Sequence, residues 1–419
     1  MGGDPDQPRS PAASLRLPKP LPAAQGGLVP PRRIDFLAWR DASNASARCR
    51  GEAYAAPLAA LGWQLRFRAP ASSGLARWLN PRGGPLRVPA KLAYLLVALV
   101  RRFVQIAGAR GADAVVVQRE LLSLGPPVLE RLLGRCHPCL IYDVDDALDL
   151  TPPHLRPLAG GLRDAGKLQC IAGWSRAVVA STDILAARLG PLPVPVRVIP
   201  TPVDLGRFPA PTPQPAAPLR LGWFGTGGNL HYLAAIAPAL RRVQAETDCE
   251  LLVVSEWDFA SPGLRVENRR WSLETEVALL LSCHLGLMPL ADTPYARAKA
   301  GYKILLHWAA ARAVVASPVG FNAQLVSDGE DGLLAGSEDE WVRALLLLAA
   351  DPELRERLGR AGRVKVEREF SLTVAAAHWA ALLDELVGAL PGRGAEAGAV
   401  LANRPAPPRA PRRRRGGPA

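Results

Sequence analysis

Short, wholly apolar, β-branched runs that each end on a polar residue constrain this chain most. Ala112 to Gln118 reads ADAVVVQ, Cys139 to Asp143 reads CLIYD, and Ala313 to Ser317 reads AVVAS. A strand open to water on one face alternates polar and apolar residues, whereas a strand covered on both faces reads as a continuous apolar run. Helical stretches separate these runs, around 89–107, 127–133 and 162–173. Strands alternating with helices imply a parallel, doubly wound α/β sheet.

The same pattern recurs in both halves of the chain. Further strands are expected at 33–38, 63–68, 177–181 and 196–200, then at 219–224, 250–255, 264–266 and 285–290. A helix is expected to open at Ser46 and run through Leu61. Between the halves lies Phe208 to Pro218, FPAPTPQPAAP. Alternating prolines exclude helix and central strand and make a semi-rigid extended link. At 419 residues the chain can build two full cores. Helices follow from Glu338 and Pro352, and Ser371 is a suitable N-cap for a last helix through Leu390. Residues 1–31 are rich in Pro, Gly and Ala, and residues 391–419 carry Arg412 to Arg415 among prolines, so both tails are expected to be disordered. No secretory signal is expected, because no apolar stretch follows the N-terminal charge.

The net charge of +13 is unevenly spread. Residues 1–210 are strongly basic and residues 211–390 mildly acidic, which suits an anionic partner for the first half. The apolar run Leu92 to Val100 is too short to span a bilayer, and Arg101 and Arg102 interrupt it. The stretch reads either as an amphipathic helix packed on a sheet or as a basic amphipathic helix lying on a membrane surface. Six scattered cysteines suit a reduced, cytoplasmic protein, and Cys136-His137-Pro138-Cys139 lacks a second pair for a zinc tetrad. The tail arginines are too few to point to nucleic acid.

The chemistry concentrates in Gly286 to Trp341. An apolar strand ends at Pro289-Leu290-Ala291-Asp292. A polar loop then carries Arg297, Lys299 and Lys303 beside Gly301 and Tyr302, and the strand 313–317 closes on Pro318 and Gly320. Ligands of parallel sheets sit outside the carboxyl ends of strands. Two lysines four apart at a helix start reach one spot, and the helix N-terminus adds oriented N–H groups. These features describe a diphosphate site. Gly225-Thr226-Gly227-Gly228 after a strand is a turn that lets backbone approach a ligand.

This block, with Tyr142 to Ala147 (YDVDDA), Val198 to Asp204 (VIPTPVD) and Gly222 to Thr226 (GWFGT), resembles the group 1 glycosyltransferases of family 4 over residues 32–390. The resemblance implies a GT-B fold: two Rossmann-like doubly wound α/β domains facing a cleft. The first, 32–207, would take the acceptor, and the second, 219–370, the nucleotide-sugar donor. The Pro-rich link is 208–218, and helix 371–390 would cross back. The implied activity is sugar transfer from a nucleotide-sugar donor to a glycan, lipid or other acceptor, with retention and without metal or cofactor. Donor and phosphate contacts fall on Gly225, Thr226, Arg297, Lys299, Gly301, Tyr302, Lys303, Gly320 and Asn322. Asp145, Asp146 and Glu120 are the catalytic candidates, and Arg48 and Arg50 the acceptor-side pair. A peripheral contact with anionic membrane at the inner face of the cell membrane fits the basic first half.

The chain departs from that family in places. Ala298 and Leu306 stand where it carries two glutamates, with His307 as a substitute for the ribose contact. Gln324 and His284 replace a Glu and an Asp. These losses keep open a non-catalytic GT-B-like protein that binds an anionic glycan or membrane surface. A sugar-nucleotide epimerase of the same fold is a third reading.

Overall fold

The computed structural model describes residues 32–72, 74–75, 87–122, 125–150, 166–211, 214 and 218–390. The tails expected at 1–31 and 391–419, most of the prolines of the link and the start of the helix expected from 162 lie outside these residues.

In the first half the strands are β1 (Arg32–Leu37), β2 (Trp63–Arg68), β3 (Ala114–Gln118), β4 (Leu140–Val144), β5 (Ala177–Ala180) and β6 (Val196–Val198). They pair in the order β2-β1-β3-β4-β5-β6, every pair parallel. β3, β4 and β5 are buried at every position, as their continuous apolar runs require. Helices α1 (Ala45–Arg50), α2 (Ala55–Ala60), α3 (Arg87–Gly108), α4 (Val128–Cys136), α5 (Lys167–Trp174) and α6 (Asp183–Arg188) connect them.

The second half repeats the plan. Its strands are β7 (Leu219–Phe224), β8 (Cys249–Ser255), β9 (Val266–Arg270), β10 (Leu285–Met288), β11 (Ala313–Ala316) and β12 (Leu333–Leu334), in the parallel order β12-β11-β10-β7-β8-β9. The helices are α7 (Leu230–Ala235), α8 (Ala237–Glu246), α9 (Glu276–Leu281), α10 (Pro294–Arg297), α11 (Tyr302–Ala309), α12 (Phe321–Leu325), α13 (Glu338–Ala350), α14 (Pro352–Lys365) and α15 (Leu372–Gly388). Each sheet reverses its strand order once, between β1 and β3 and between β7 and β10. That reversal opens a crevice at the carboxyl ends of the strands.

α15 is capped by Ser371, whose hydroxyl accepts from Val374 N. It leaves the second half and packs on the first. Ala376, Trp379 and Leu383 join the core cluster of Ile34, Tyr54 and Trp63. Val203 N donates to Phe370 O at 2.8 Å and Leu372 N to Val203 O at 2.9 Å, fixing the crossing.

Three elements differ from expectation. The helix expected over 46–61 breaks at Gly51, because the chain must pass over Phe36, whose ring would lie 2.6 Å from a Cβ there. The strand expected at 264–266 lies at 266–270, after a turn through Gly263 (φ 77°). It is an exposed edge strand reading VENRR, so it carries no apolar signature. Lys299 stands before α11 rather than on it: Gly301, at φ 62°, starts that helix.

Candidate functional site

Helix α1 and the ends of β3 and β4 bring charge together in the first half. Arg50 donates from Nε and Nη2 to Asp143 at 3.1 and 2.5 Å, and from Nη1 to Ile199 O and Thr201 Oγ1 at 3.0 and 3.2 Å. Both partners are fully buried. Burial pushes the Asp143 carboxyl up while Arg50 pulls it back. Arg50, expected on the acceptor side, is therefore a fold-holding cation with its donors taken. Arg48 does stay at the crevice: its Nη1 donates to Ala42 O at 3.1 Å and its guanidinium lies 5.4 Å from the Trp271 ring of the other half.

Asp145 accepts from Arg119 Nε and Nη2 at 2.5 and 3.0 Å and from the Ser46 hydroxyl. Burial would raise its carboxyl, but the guanidinium holds it below the usual carboxylate range. Arg119 also lies 3.6 Å from Asp146 and 4.5 Å from the centre of the Trp39 ring. Its φ of 57° is unusual for a non-glycine residue, and such backbone persists where the surroundings over-determine it. Asp145 is thus fully occupied. Asp146 accepts from Ala147 N at 3.0 Å and, about a quarter exposed, is the more accessible of the two carboxylates. Glu120 is buried and ion-paired with Lys167 at 3.2 Å, so it is held away from the crevice.

In the second half, Gly225 closes β7, and Thr226 precedes a short turn, Gly227–Asn229, whose Asn229 Nδ2 donates to Thr226 Oγ1 at 2.9 Å. The exposed Trp257 ring lies on Gly227, where a Cβ would stand 2.3 Å from it. Lys299 donates to Asn229 Oδ1 at 3.3 Å, with the rings of Tyr295 and Tyr232 at 4.8 and 5.9 Å. Lys303 has no hydrogen-bonding or ion-pair partner among the described residues. Burial, then the neighbouring Lys299, lower its ammonium to about 8, against a pull from Glu256. An ammonium held this way is stabilised by an arriving anion.

Two glycines shape the loop around these lysines. Gly320, at φ 55°, lets the chain pass so close that a Cβ would stand 2.2 Å from Arg297 O. Asn322 is fully buried, and neither side-chain amide atom has a partner among the described residues. Its Oδ1 faces Gly301. Arg297 turns outward and pairs with Asp292 at 2.5 Å, both exposed, so it does not join the lysines. Tyr302 reaches across the crevice, its hydroxyl 3.0 Å from Cys49 Sγ. Tyr295 likewise meets Asp146 across the crevice.

His307 does not take up a ribose role. It is buried in α11 over Gly222 and Gly286, where a Cβ on either would meet its ring, and burial drives the imidazole down to about 3. Leu306 is core and Ala298 packs into the first-half cluster with Tyr295. His137 latches its loop, Nε2 to Ala112 O and Nδ1 accepting from Cys139 N, and no disulfide joins any of the six cysteines. Among the described residues, no three His, Cys, Asp or Glu side chains converge as a metal site. A cavity of about 440 Å³ opens beside the lysine loop, bordered by Tyr232, Ile236, Pro289, Pro318 and Trp341.

Sequence reasoning ranked Glu120 above its neighbour, yet Arg119 is the residue that faces the two aspartates. The available signal was its place directly after the apolar run of β3. Trp257 carried the same signal, since it follows the β8 run by two residues.

With this geometry in view, residues 220–351 match the family model described as "Glycosyl transferases group 1". No curated protein matches the sequence. Among solved structures, sucrose-phosphate synthase from Thermosynechococcus elongatus superposes with a TM-score of 0.61 at 16% identity, over 86% of this chain and 100% of that one. HepE from Anabaena, in complex with UDP and glucose, gives 0.58 at 15% identity over 84% and 100%. A glycosyltransferase from Rickettsia africae gives 0.60 at 13% over 86% and 100%. The fold is that of the GT-B glycosyltransferases, two six-stranded parallel sheets with helices.

Proposed function

We propose that this chain is a metal-independent, retaining glycosyltransferase of family 4 that moves a sugar from a nucleotide-sugar donor to a glycan or lipid-linked acceptor. The observation that carries this reading is Lys303, a half-buried ammonium without a partner among the described residues, beside Lys299 at the β7/β10 switch point. The match of residues 220–351 to the group 1 glycosyltransferases supports it, as does the UDP bound by HepE, a protein of the same fold.

In this reading residues 32–207 take the acceptor, 208–218 link, 219–370 bind the donor and 371–390 tie the two together. Lys299, Lys303 and the N–H groups after Gly301 and Gly320 hold the diphosphate as the glycosidic bond loosens. Preorganised positive charge at a leaving group is worth most where water is excluded. The cavity beside Tyr232 gives a nucleoside room next to the lysines. Asp146, with Tyr295 across the crevice, meets the sugar or the acceptor hydroxyl, and the leaving phosphate takes the acceptor proton on the same face. Arg119 and Asp145 keep Asp146 in place. The protein works in the cytoplasm, where its six thiols stay reduced.

Leu306 and Ala298 favour a second reading, a non-catalytic protein of the same fold, because neither side chain can accept hydrogen bonds from a nucleotide. Thermal shifts with UDP, GDP and ADP test the first reading. Ligand at 100 times its dissociation constant stabilises by about 2.7 kcal/mol. We expect one nucleotide to do so for the wild type and not for Lys299→Met/Lys303→Met. A wild type blind to all three overturns the reading. Binding without hydrolysis or transfer of any matching nucleotide sugar selects the non-catalytic one.

A further inference from the structure

Helix α3 is longer than the sheet it packs on. Its 22 residues span about 33 Å. Arg102 fixes its height: this buried guanidinium donates to Leu121 O at 3.2 Å, to Arg68 O at 3.3 Å, to Gln105 Oε1 at 2.7 Å and to Ala38 O. Gln105 adds a bond to Ala69 O at 2.8 Å. Those carbonyls lie at the carboxyl ends of β1, β2 and β3. From there the chain runs down the sheet to the start of β3, so the turns before Arg102 project beyond the crevice edge. Their exposure agrees: of residues 89–101, only Ala98 is buried.

The projecting part carries an apolar face. Leu92, Leu96, Val100, Phe103 and Val104 recur at helical spacing, and all are about half exposed or more. The adjoining α4 adds Val128 and Leu132. Contiguous apolar surface of this kind on a soluble fold marks a docking surface. The charge around it has one sign. No acidic residue occurs from Arg87 to Ala112. Lys91 and Arg101 are exposed on α3, Arg110 in the turn that follows it, and Arg131 and Arg135 on α4. Glu130, the single acid of α4, is buried and accepts from Leu121 N. By length and composition Pro89–Gly111 could cross a bilayer. The buried polar bonds of Arg102 and Gln105 hold it against the sheet instead.

We propose that the projecting half of α3, with the exposed edge of α4, docks on an anionic lipid bilayer, apolar stripe inserted and lysine and arginine side chains at the head groups. The partner is the membrane surface rather than a second copy of the chain, because like-charged basic rims would oppose each other in a dimer. The docking helix stands at the edge where Arg119, Asp145 and Asp146 lie. A bilayer there would present a lipid-linked acceptor to the crevice; this consequence rests on the transfer reading, whereas the docking does not.

Flotation of the full chain with phosphatidylcholine vesicles, with and without about 30% phosphatidylglycerol, tests the proposal. We expect the wild type to float with the anionic vesicles and to bind less as salt rises from about 0.1 to about 0.5 M. Leu92→Ser/Leu96→Ser/Val100→Ser should bind on the order of tenfold more weakly, and Lys91→Glu/Arg101→Glu should lose the preference for anionic lipid. Every altered side chain is exposed, and a circular-dichroism melt equal to that of the wild type shows the rest of the molecule intact whether or not a nucleotide binds. Failure of docking is thereby read separately from failure of donor binding. A wild type that ignores both vesicles overturns the proposal. So does a folded triple variant that floats like the wild type, or a wild-type dimer that the triple variant disperses without any vesicle binding.

Discussion

At the residue scale, the site is divided between charges that hold the fold and charges left for a ligand. Arg50 with Asp143, and Arg119 with Asp145, are each satisfied within the protein. Removing one partner of such a buried pair costs about 3–5 kcal/mol, because the other charge is left uncompensated. Lys303 is the opposite case, and its lowered ammonium has consequences of opposite sign for folding and for binding. The folded chain releases this proton near pH 8, the unfolded chain near 10.5. Between those values the unfolded state binds more protons, so the ligand-free protein should gain stability as pH rises. Diphosphate binding needs the charged form, so affinity for the nucleotide found by thermal shift should fall by up to about tenfold per pH unit above 8. Titration calorimetry between pH 7 and pH 9.5 checks this, with Lys303→Met expected to be weak and flat; a wild-type affinity constant over that range would remove Lys303 from the site. Lys303 was legible in the sequence because a lysine directly after a Gly-Tyr pair, in the connection that follows a buried strand, has few structural duties. The pairing of Arg119 with Asp145 was not, since the partners sit on loops after neighbouring strands and only the parallel register of β3 and β4 brings them together.

At the scale of elements, the apolar runs named the buried strands almost to the residue, because burial on both faces leaves no polar positions to confuse the pattern. β9 and the break at Gly51 were not legible. An edge strand has no such pattern, and the break answers to Phe36, a residue of another strand. The stretch after Asp292 reads as a polar loop with both lysines at the start of one helix. It is a short α10, a turn and a glycine-started α11. The loop is closed by Gly320, whose missing Cβ makes space for the Arg297 backbone. Gly320→Ala adds a left-handed backbone penalty and a contact that rotamer changes cannot relieve, since the obstacle is main chain. The two together should cost about 2–4 kcal/mol. The same substitution should push the 292–301 loop away from Asn322 and abolish the nucleotide thermal shift even at temperatures where the variant is fully folded by circular dichroism. A folded variant that keeps the full shift would show that the loop's position does not govern donor binding.

At the scale of the whole molecule, the doubled pattern of strands and helices and the proline link made two parallel sheets legible. What joins them was less so. Periodicity shows that α15 is an apolar helix and does not show which sheet it covers. The structure gives the answer through Trp379, which is 3% exposed and meets Tyr54 edge-on at 6.2 Å in the first-half core, while the chain leading into α15 comes from α14 of the second half. Arg32 and Trp63 add bonds to Asp384 at 2.6 and 3.2 Å. The helix therefore staples the first sheet to the chain of the second half, and the crevice contacts of Cys49 with Tyr302 and of Arg48 with Trp271 depend on that staple. Trp379→Ala removes a large buried ring and should cost about 3–5 kcal/mol, a large share of the roughly 5–15 kcal/mol that holds a domain folded. The loss should not be even. Hydrogen exchange read by mass spectrometry should speed up in α1, α2, β1 and β2, which face the missing ring. Strands β7, β8 and β10 have their own two cores and should keep their protection, and the second half should still bind the nucleotide. Equal loss of protection in both sheets would mean instead that the two halves open as one cooperative body, with the crevice contacts, rather than α15, carrying the coupling between them.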